Sequence, residues 1–292
     1  NAVEFGAFLV VRALAQLGRH LDRRERVLDV VRDLSRHLAP RGLFFGLHEL
    51  LACVAQLVGH AVELVPELPQ LVGARHMVVR LEITRPDPRT IVAFGDSITD
   101  GTASTVNTNR RWPDVLAERL AAAGAPRPIS NQAIAGNRIL SWQSPIFGDP
   151  ALARFDRDVL SVPNARWLVI LEGVNDIGMG AAAPPSAAQL IAGYRQMIAR
   201  AEARGITTYI ATILPYEGAR YYQEAGETVR SQVNAWIRTN TEAAGFIDFD
   251  AAMRDPANPK KMKADLQSGD WLHPNDAGYK VMGDAVDLAL FK

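Results

Sequence analysis

Beyond residue 89, short continuous apolar runs alternate along the chain with longer stretches in which apolar positions recur at helical spacing. The apolar runs predict strands at residues 91–94, 129–134, 167–171, 206–214 and 246–249. The longer stretches predict helices at residues 112–123, 151–160, 186–204, 227–244 and 275–290. Ser186 and Gly205 are the expected N-cap and stop signal of the third helix. This alternation indicates an α/β fold with βαβ units and a parallel sheet covered on both faces.

The first part of the chain has a different pattern and composition. Apolar positions at helical spacing predict helices at residues 5–17, 21–38 and 43–65, and residues 78–83 are a candidate strand. Every lysine, tryptophan and tyrosine lies beyond residue 89, whereas five of the six histidines lie before it. Such a shift in composition marks a domain boundary near residue 89. We therefore divide the chain into a mainly helical N-terminal segment, residues 1–84, and a second domain, residues 85–292.

Two interpretations of residues 1–84 remain open. The first is a helical hairpin or small bundle that packs on the second domain or mediates self-association into a homo-oligomer. The second is vector-derived or out-of-frame sequence, because the segment is rich in Leu, Val, Arg and His and contains the stretch Gly73–Met77. It carries no catalytic or ligand-binding constellation, so its role and its native origin stay open.

Composition and charge exclude several classes of function. The chain has 32 basic and 32 acidic residues, so its net charge gives no reason to expect nucleic acid or an anionic membrane as a partner. Cys53 is the single cysteine, which excludes a disulfide framework and a CxxC metal site. The most apolar stretch, residues 43–65, contains two histidines and two glutamates and does not predict a membrane span. Residues 1–17 lack a basic start and a cleavage site, so we do not expect a signal peptide there.

Three polar side chains of the second domain suit nucleophilic catalysis. Ser97 follows the first predicted strand in a tight turn, and ligands of open α/β sheets bind at the carboxyl ends of strands. His273 is the one histidine beyond residue 89, and Asp270 precedes it by three residues, which lets the carboxylate reach the imidazole Nδ1–H. We predict Ser97 as nucleophile, His273 as its base and Asp270 as the group that orients the base. Alone, a Gly-Asp-Ser turn is more often a simple strand end.

Acyl transfer also requires hydrogen-bond donors for the developing oxyanion. The backbone N–H groups of Ser97 and Gly136 and the side-chain amide of Asn175 follow three of the predicted strands. Taken singly, Gly136 is better explained by a turn and Asn175 by a loop cap. Their shared location at strand ends favours the catalytic interpretation.

These residues lie in four short sequences that resemble the blocks of the SGNH, or GDSL-type, hydrolase family and occur in the same order. The resemblance covers about residues 89–292, and Ile98 stands where the family's common name has Leu. The blocks are residues 95–98, 131–136, 173–176 and 270–273.

The resemblance implies a flavodoxin-like three-layer α/β/α fold with strand order 2-1-3-4-5. It also implies Ser97 as nucleophile, His273 as base, Asp270 as its partner, and Gly136 and Asn175 as members of the oxyanion hole. No metal ion or organic cofactor is needed for this chemistry. Because the family is often exported, the resemblance favours the periplasm or the cell exterior.

The expected function is that of a serine esterase acting on a small-molecule ester. Candidate substrate contacts are Trp142, Ile177, Tyr216 and Trp271, and a core position is the alternative for each. Since no long apolar lid is visible, short-chain esters are favoured. The enzymatic alternatives are a carbohydrate O-acetyl esterase and a lysophospholipase or thioesterase, and the non-enzymatic one is an inactive binding module that keeps the fold.

Overall fold

The computed structural model describes residues 89–179 and 184–292, so the predictions for residues 1–84 lie outside the described part. Five parallel strands form one sheet in the order β2-β1-β3-β4-β5, which confirms the expected topology. The strands are β1, Thr90–Gly95; β2, Ile129–Asn131; β3, Ala165–Leu171; β4, Thr207–Ala211; and β5, Gly245–Ile247.

Helices flank this sheet, as the α/β pattern predicts. Among them, α2 packs against α8 and α5 packs against α6. The helices are α1, Ser97–Asp100; α2, Trp112–Ala122; α3, Ala151–Phe155; α4, Val174–Gly178; α5, Ala187–Glu202; α6, Glu224–Thr239; α7, Phe249–Met253; and α8, Asp276–Ala285. A π-helical turn, Asp156–Leu160, continues α3, and 3₁₀ turns occupy Pro145–Phe147 and Leu288–Phe291.

The central strand β1 is buried over its whole length, which explains its continuous apolar sequence. A strand between two helical layers has no solvent-facing side, so apolar side chains point to both faces. On one face the ring of Phe94 meets Phe155 edge to face, with 5.7 Å between centroids. Because all five strands are parallel, their carboxyl ends meet at one edge of the sheet.

The boundaries of α5 are those that its capping residues predict. The Ser186 hydroxyl accepts from the Gln189 N–H, and the Gln189 side chain accepts from the Ser186 N–H, which forms a capping box. At the other end Gly205 has φ of +68°, the left-handed conformation that glycine adopts without steric cost. Both signals are local, which is why the sequence was sufficient to place them.

Several predicted elements are longer than the observed ones. The strand predicted at 206–214 ends at Ala211, because the Ile213 N–H donates to the Asn234 side chain instead of a neighbouring strand. The strand predicted at 246–249 ends at Ile247, because Asp248 caps α7. The last helix, predicted to residue 290, ends at Ala285, before the 3₁₀ turn.

Two further predictions need correction. The helix predicted at 227–244 spans Glu224–Thr239, and the Asn240 side chain ends it by accepting from the N–H groups of Glu242 and Ala243. The sequence predicts no element between residues 250 and 274, whereas the structure has an antiparallel hairpin there, formed by β6, Arg254–Asp255, and β7, Asn258–Met262. The short hairpin has no apolar alternation from which it could be predicted.

None of the helices in the described ranges combines the length and the apolar character that a bilayer span requires.

Candidate active site

Ser97 is the first residue of α1, directly after the end of β1. The Asp96 side chain caps the helix by accepting from the Ile98 N–H at 2.9 Å. Gly95 lies so close to its neighbours that an added Cβ would sit 2.6 Å from the Leu171 carbonyl oxygen. This tight strand-to-helix turn holds Ser97 at the carboxyl edge of the sheet, 5% exposed.

His273 reaches Ser97 from the loop that precedes α8. Its Nε2 lies 2.9 Å from the Ser97 Oγ, and its Nδ1 lies 2.6 Å from the Asp270 Oδ2. The hydroxyl and the imidazole are 176 positions apart in the chain. The fold therefore brings together the three side chains that the sequence indicated.

Asp270 is held by more than the histidine ring. Its Oδ1 accepts from the backbone N–H groups of Leu272 and His273, each at 2.9 Å, and from the Ser268 hydroxyl at 3.1 Å. Burial alone would raise the pKa of Asp270, but the hydrogen bonds from the His273 backbone and ring and from the Leu272 N–H outweigh it and lower the pKa to about 2. The carboxylate is therefore ionised at neutral pH and oriented toward the imidazole.

Trp271 anchors the loop that carries Asp270 and His273. Its backbone has φ of +59°, which is uncommon for a residue other than glycine. Its ring lies against Gly218, where an added Cβ would come within 2.9 Å of the Trp271 Cγ, and Lys261 Nζ lies 3.8 Å from the ring centroid. The hairpin strand β7, which contains Lys261, thus supports the loop.

The three expected oxyanion donors lie in the segments that follow β1, β2 and β3. The Ser97 N–H is in the first turn of α1, where backbone N–H groups have no intrahelical acceptor. Gly136 has φ of +77°, and Phe147 packs where its Cβ would be, 2.1 Å from Cδ1. Asn175 is 2% exposed and donates from Nδ2 to the Asn137 carbonyl oxygen at 3.0 Å. One Nδ2 hydrogen thus fixes the amide, and the other has no acceptor within the described part.

Asp176 ties the loop after β2 to the helix after β3. Its two carboxylate oxygens accept from the backbone N–H groups of Ile139 at 2.8 Å and Leu140 at 3.0 Å. Because Gly136 and Asn175 lie on these two segments, the clamp fixes their relative position.

Arg154, which the sequence analysis did not single out, connects the same strand ends. Its guanidinium donates to the carbonyl oxygens of Gly95 and Gln132, and to side-chain oxygens of Asn137, Glu172 and Asp158. The side chain is fully buried, with its guanidinium carbon 4.0 Å from the centroid of the Phe94 ring. The sequence gives only a weak indication of this role, an arginine within a short apolar helix, because the partners of Arg154 lie far away in the sequence.

The four predicted substrate contacts occupy different environments. Trp142 is 57% exposed, on the loop that leads to Phe147. Ile177 and Tyr216 are buried, at 4% and 1% exposure, and Trp271 packs on Gly218 and Lys261 as described above. Their role in substrate binding stays a prediction, and Trp142 is the one already open to solvent.

Asp96, Glu172 and Asp176 are buried carboxyl groups that interact electrostatically with one another, and Asp96 adjoins Ser97 in the chain. Burial raises the pKa of Asp96 to about 7 and that of Asp176 to about 6. Burial, reinforced by the charge of Asp96 and opposed by Arg154, raises the pKa of Glu172 well above its ordinary value. Among the residues that the structure describes, the Glu172 Oε2 has no hydrogen-bond partner, in agreement with an unfavourable charge at this position. Ionising these groups therefore opposes folding.

We expect Glu172→Gln to flatten the pH dependence of stability between pH 5 and pH 8. A carboxyl whose pKa is raised on folding binds more protons in the folded state, so stability falls as pH rises from the ordinary toward the raised value. Each such proton contributes up to about 1.4 kcal/mol per pH unit. Urea unfolding at both pH values would measure the change, with the exposed Glu242→Gln as control. Equal slopes in wild type and Glu172→Gln would contradict this expectation.

A parallel sheet whose carboxyl edge presents a serine, a histidine and amide donors carries the groups that acyl transfer requires. The chain belongs to the GDSL-like lipase/acylhydrolase family, whose model matches residues 93–281. The match includes Ser97, Gly136, Asn175, Asp270 and His273. The protein is accordingly an SGNH-type carboxylic ester hydrolase.

Solved structures share this fold. A protein of the G-D-S-L family from Desulfitobacterium hafniense is 24% identical, with a TM-score of 0.52 over 67% of this chain and 96% of its own. A GDSL-like lipase from Bacteroides thetaiotaomicron is 19% identical, with a TM-score of 0.52 over 72% and 91%. The aryl esterase of M. smegmatis is 14% identical, with a TM-score of 0.54 over 68% and 95%. The search of curated proteins gave no significant match.

Proposed function

We propose that this protein is a serine esterase that hydrolyses short-chain carboxylic esters through an acyl-enzyme intermediate. The hydrogen-bonded chain from Ser97 through His273 to Asp270 carries the proposal. A serine hydroxyl is a weak nucleophile unless a base removes its proton, and this arrangement supplies one.

In the first step the Ser97 Oγ attacks the ester carbonyl carbon while His273 Nε2 takes the hydroxyl proton. Asp270 accepts the Nδ1–H, which keeps Nε2 unprotonated before attack and stabilises the imidazolium afterwards. The tetrahedral intermediate collapses, the alcohol leaves with the proton from His273, and the acyl group remains on Ser97.

In the second step water attacks the acyl-enzyme and gives its proton to His273. Collapse of the second intermediate releases the carboxylic acid and returns the proton to Ser97. In both steps the oxyanion would accept hydrogen bonds from the N–H groups of Ser97 and Gly136 and from Asn175 Nδ2. Preorganised donors in a buried site contribute to rate because they need no reorientation as charge develops.

The preference for short acyl chains rests on the side chains of the loop that follows Gly136. Phe147 packs on Gly136, and Trp142 on the same loop is exposed to solvent. Apolar side chains of this kind suit a small acyl or aryl group.

A panel of p-nitrophenyl esters of increasing chain length, run beside acetylated sugars, tests the substrate. We expect the highest kcat/KM with acetyl and butyryl esters and a decline at octanoyl and beyond. A maximum at palmitoyl would favour a lysophospholipase or thioesterase, and activity confined to acetylated sugars would favour an O-acetyl esterase.

A fluorophosphonate probe separates an enzyme from an inactive member of the fold. We expect covalent labelling of the peptide that contains Ser97, found by mass spectrometry. A folded protein that takes no label and cleaves none of the esters would support the binding-module alternative.

A further inference from the structure

Tyr221 contacts the candidate oxyanion hole from outside the four sequence blocks. It lies between β4 and α6, and its hydroxyl donates to Asn175 Oδ1 at 3.2 Å. Asn175 itself donates from Nδ2 to the Asn137 carbonyl oxygen. Both ends of this carboxamide are therefore bound by the protein.

These two contacts select one orientation of the amide. Rotating it by half a turn would place Oδ1 against the Asn137 carbonyl oxygen, where two acceptors repel, and would remove the acceptor of the Tyr221 hydroxyl. In the observed orientation the second Nδ2 hydrogen stays available to an oxyanion. The tyrosine thus acts on the one donor of the hole that can rotate, since the other two belong to the backbone.

The packing of Tyr221 holds its hydroxyl in place. The ring lies on the backbone of α4 at Gly178, where an added Cβ would be 2.1 Å from the Tyr221 Cδ2. The Tyr216 ring supports it from another side, with 6.1 Å between centroids. Burial, with smaller effects from the charges of Asp96, Tyr216 and Asp270, raises the pKa of Tyr221 well above its ordinary value. The hydroxyl therefore stays protonated and remains a donor.

We propose that Tyr221 is a positioning residue that orients the Asn175 side chain for oxyanion stabilisation. This inference rests on the proposed function. Tyr221 touches no reacting atom, so removal of its hydroxyl should weaken the stabilisation of the transition state more than the binding of the ester.

We expect Tyr221→Phe to lower kcat for p-nitrophenyl acetate about tenfold while KM changes less than about twofold. The phenylalanine keeps the ring on Gly178 and removes only the hydroxyl. Tyr222→Phe is the matched control, because the Tyr222 hydroxyl binds the exposed Glu224 and should be dispensable. A wild-type kcat in Tyr221→Phe, or an equal loss in the control, would overturn the inference.

A double-mutant cycle with Asn175→Ala tests whether Tyr221 acts through Asn175. If it does, adding Tyr221→Phe to Asn175→Ala causes little further loss of kcat, whereas independent effects multiply. The rate of Ser97 phosphonylation by a fluorophosphonate gives a second readout that needs no natural substrate. Multiplying effects in both assays would reject the positioning role.

The same cycle separates failure of this inference from failure of the proposed function. If Asn175→Ala leaves both rates unchanged, the proposed oxyanion hole is wrong and the role of Tyr221 falls with it. If Asn175→Ala lowers both rates and Tyr221→Phe lowers neither, only the role of Tyr221 is wrong. Gly178→Ala provides an independent variant, because its methyl group would displace the Tyr221 ring and should reproduce the loss of kcat.

Discussion

Replacing Ser97 with alanine is expected to lower the turnover of p-nitrophenyl acetate by about 10⁴- to 10⁶-fold. The substitution removes the proposed nucleophile, the Ser97 hydroxyl that lies against His273 Nε2. Gly136 and Asn175 remain in place, so a small residual rate is expected from oxyanion stabilisation alone. Steady-state kinetics and the loss of fluorophosphonate labelling would measure the effect.

Two further variants show whether Ser97 acts with His273. Residues that act as one unit have non-additive effects, so the Ser97→Ala/His273→Ala double variant should be no slower than either single variant. Ser161→Ala is the matched control, because its hydroxyl donates to the Arg157 carbonyl oxygen and Ser161 precedes the amino end of β3, whereas the candidate site is at the carboxyl edge of the sheet. Wild-type-like turnover in Ser97→Ala would rule out the acyl-enzyme mechanism.

The sequence predicted the candidate site best at residues whose reactive side chain lies within a recognisable local pattern. Ser97 follows the end of a strand, and Asp270 has His273 three positions later in the chain. Both features are visible in the local sequence, and they indicate a role for each residue. His273 could be paired with Ser97 only because the second domain has no other histidine. The continuous apolar sequence of β1 likewise predicted a buried strand, because a strand that is covered on both faces has apolar side chains at successive positions.

The supporting contacts could not be predicted in this way. Tyr221 meets Asn175 across 46 positions, and the Arg154 side chain meets the Gly95 carbonyl oxygen across 59. Such contacts depend on how the helices pack against the sheet. The sequence around a tyrosine or an arginine does not indicate which distant residue it will contact. The short helices α1 and α4 were missed for another reason, since four or five residues are too few for a helical period to be recognised.

The organisation of the N-terminal part stays a prediction. Residues 1–84 differ from the second domain in composition, and the five proposed catalytic and oxyanion residues lie between residues 97 and 273.

The second large effect is expected for Arg154→Met, which should lower the free energy of unfolding by about 3–5 kcal/mol. The arginine is fully buried, and its loss removes the guanidinium donor from Glu172 and from the Gln132 carbonyl oxygen. The Gly95 carbonyl oxygen loses the same donor but keeps the hydrogen bond from the Ile134 N–H. For a domain of this size the melting temperature should fall by about 10 °C. Arg154→Lys should not restore the lost stability, because one ammonium group cannot replace a planar guanidinium that donates to several acceptors at once. Urea and thermal unfolding would measure both variants.

Two comparisons identify the cause of that loss. Arg195→Met removes an exposed pair with Glu242 and should cost less than about 1 kcal/mol. Adding Glu172→Gln to Arg154→Met removes the buried carboxyl that the first change leaves unpaired, so part of the lost stability should return. If the double variant is as unstable as Arg154→Met, the carbonyl oxygens rather than Glu172 account for the cost. If Arg154→Met is as stable as wild type, the strand ends that carry Ser97, Gly136 and Asn175 are held together without the guanidinium.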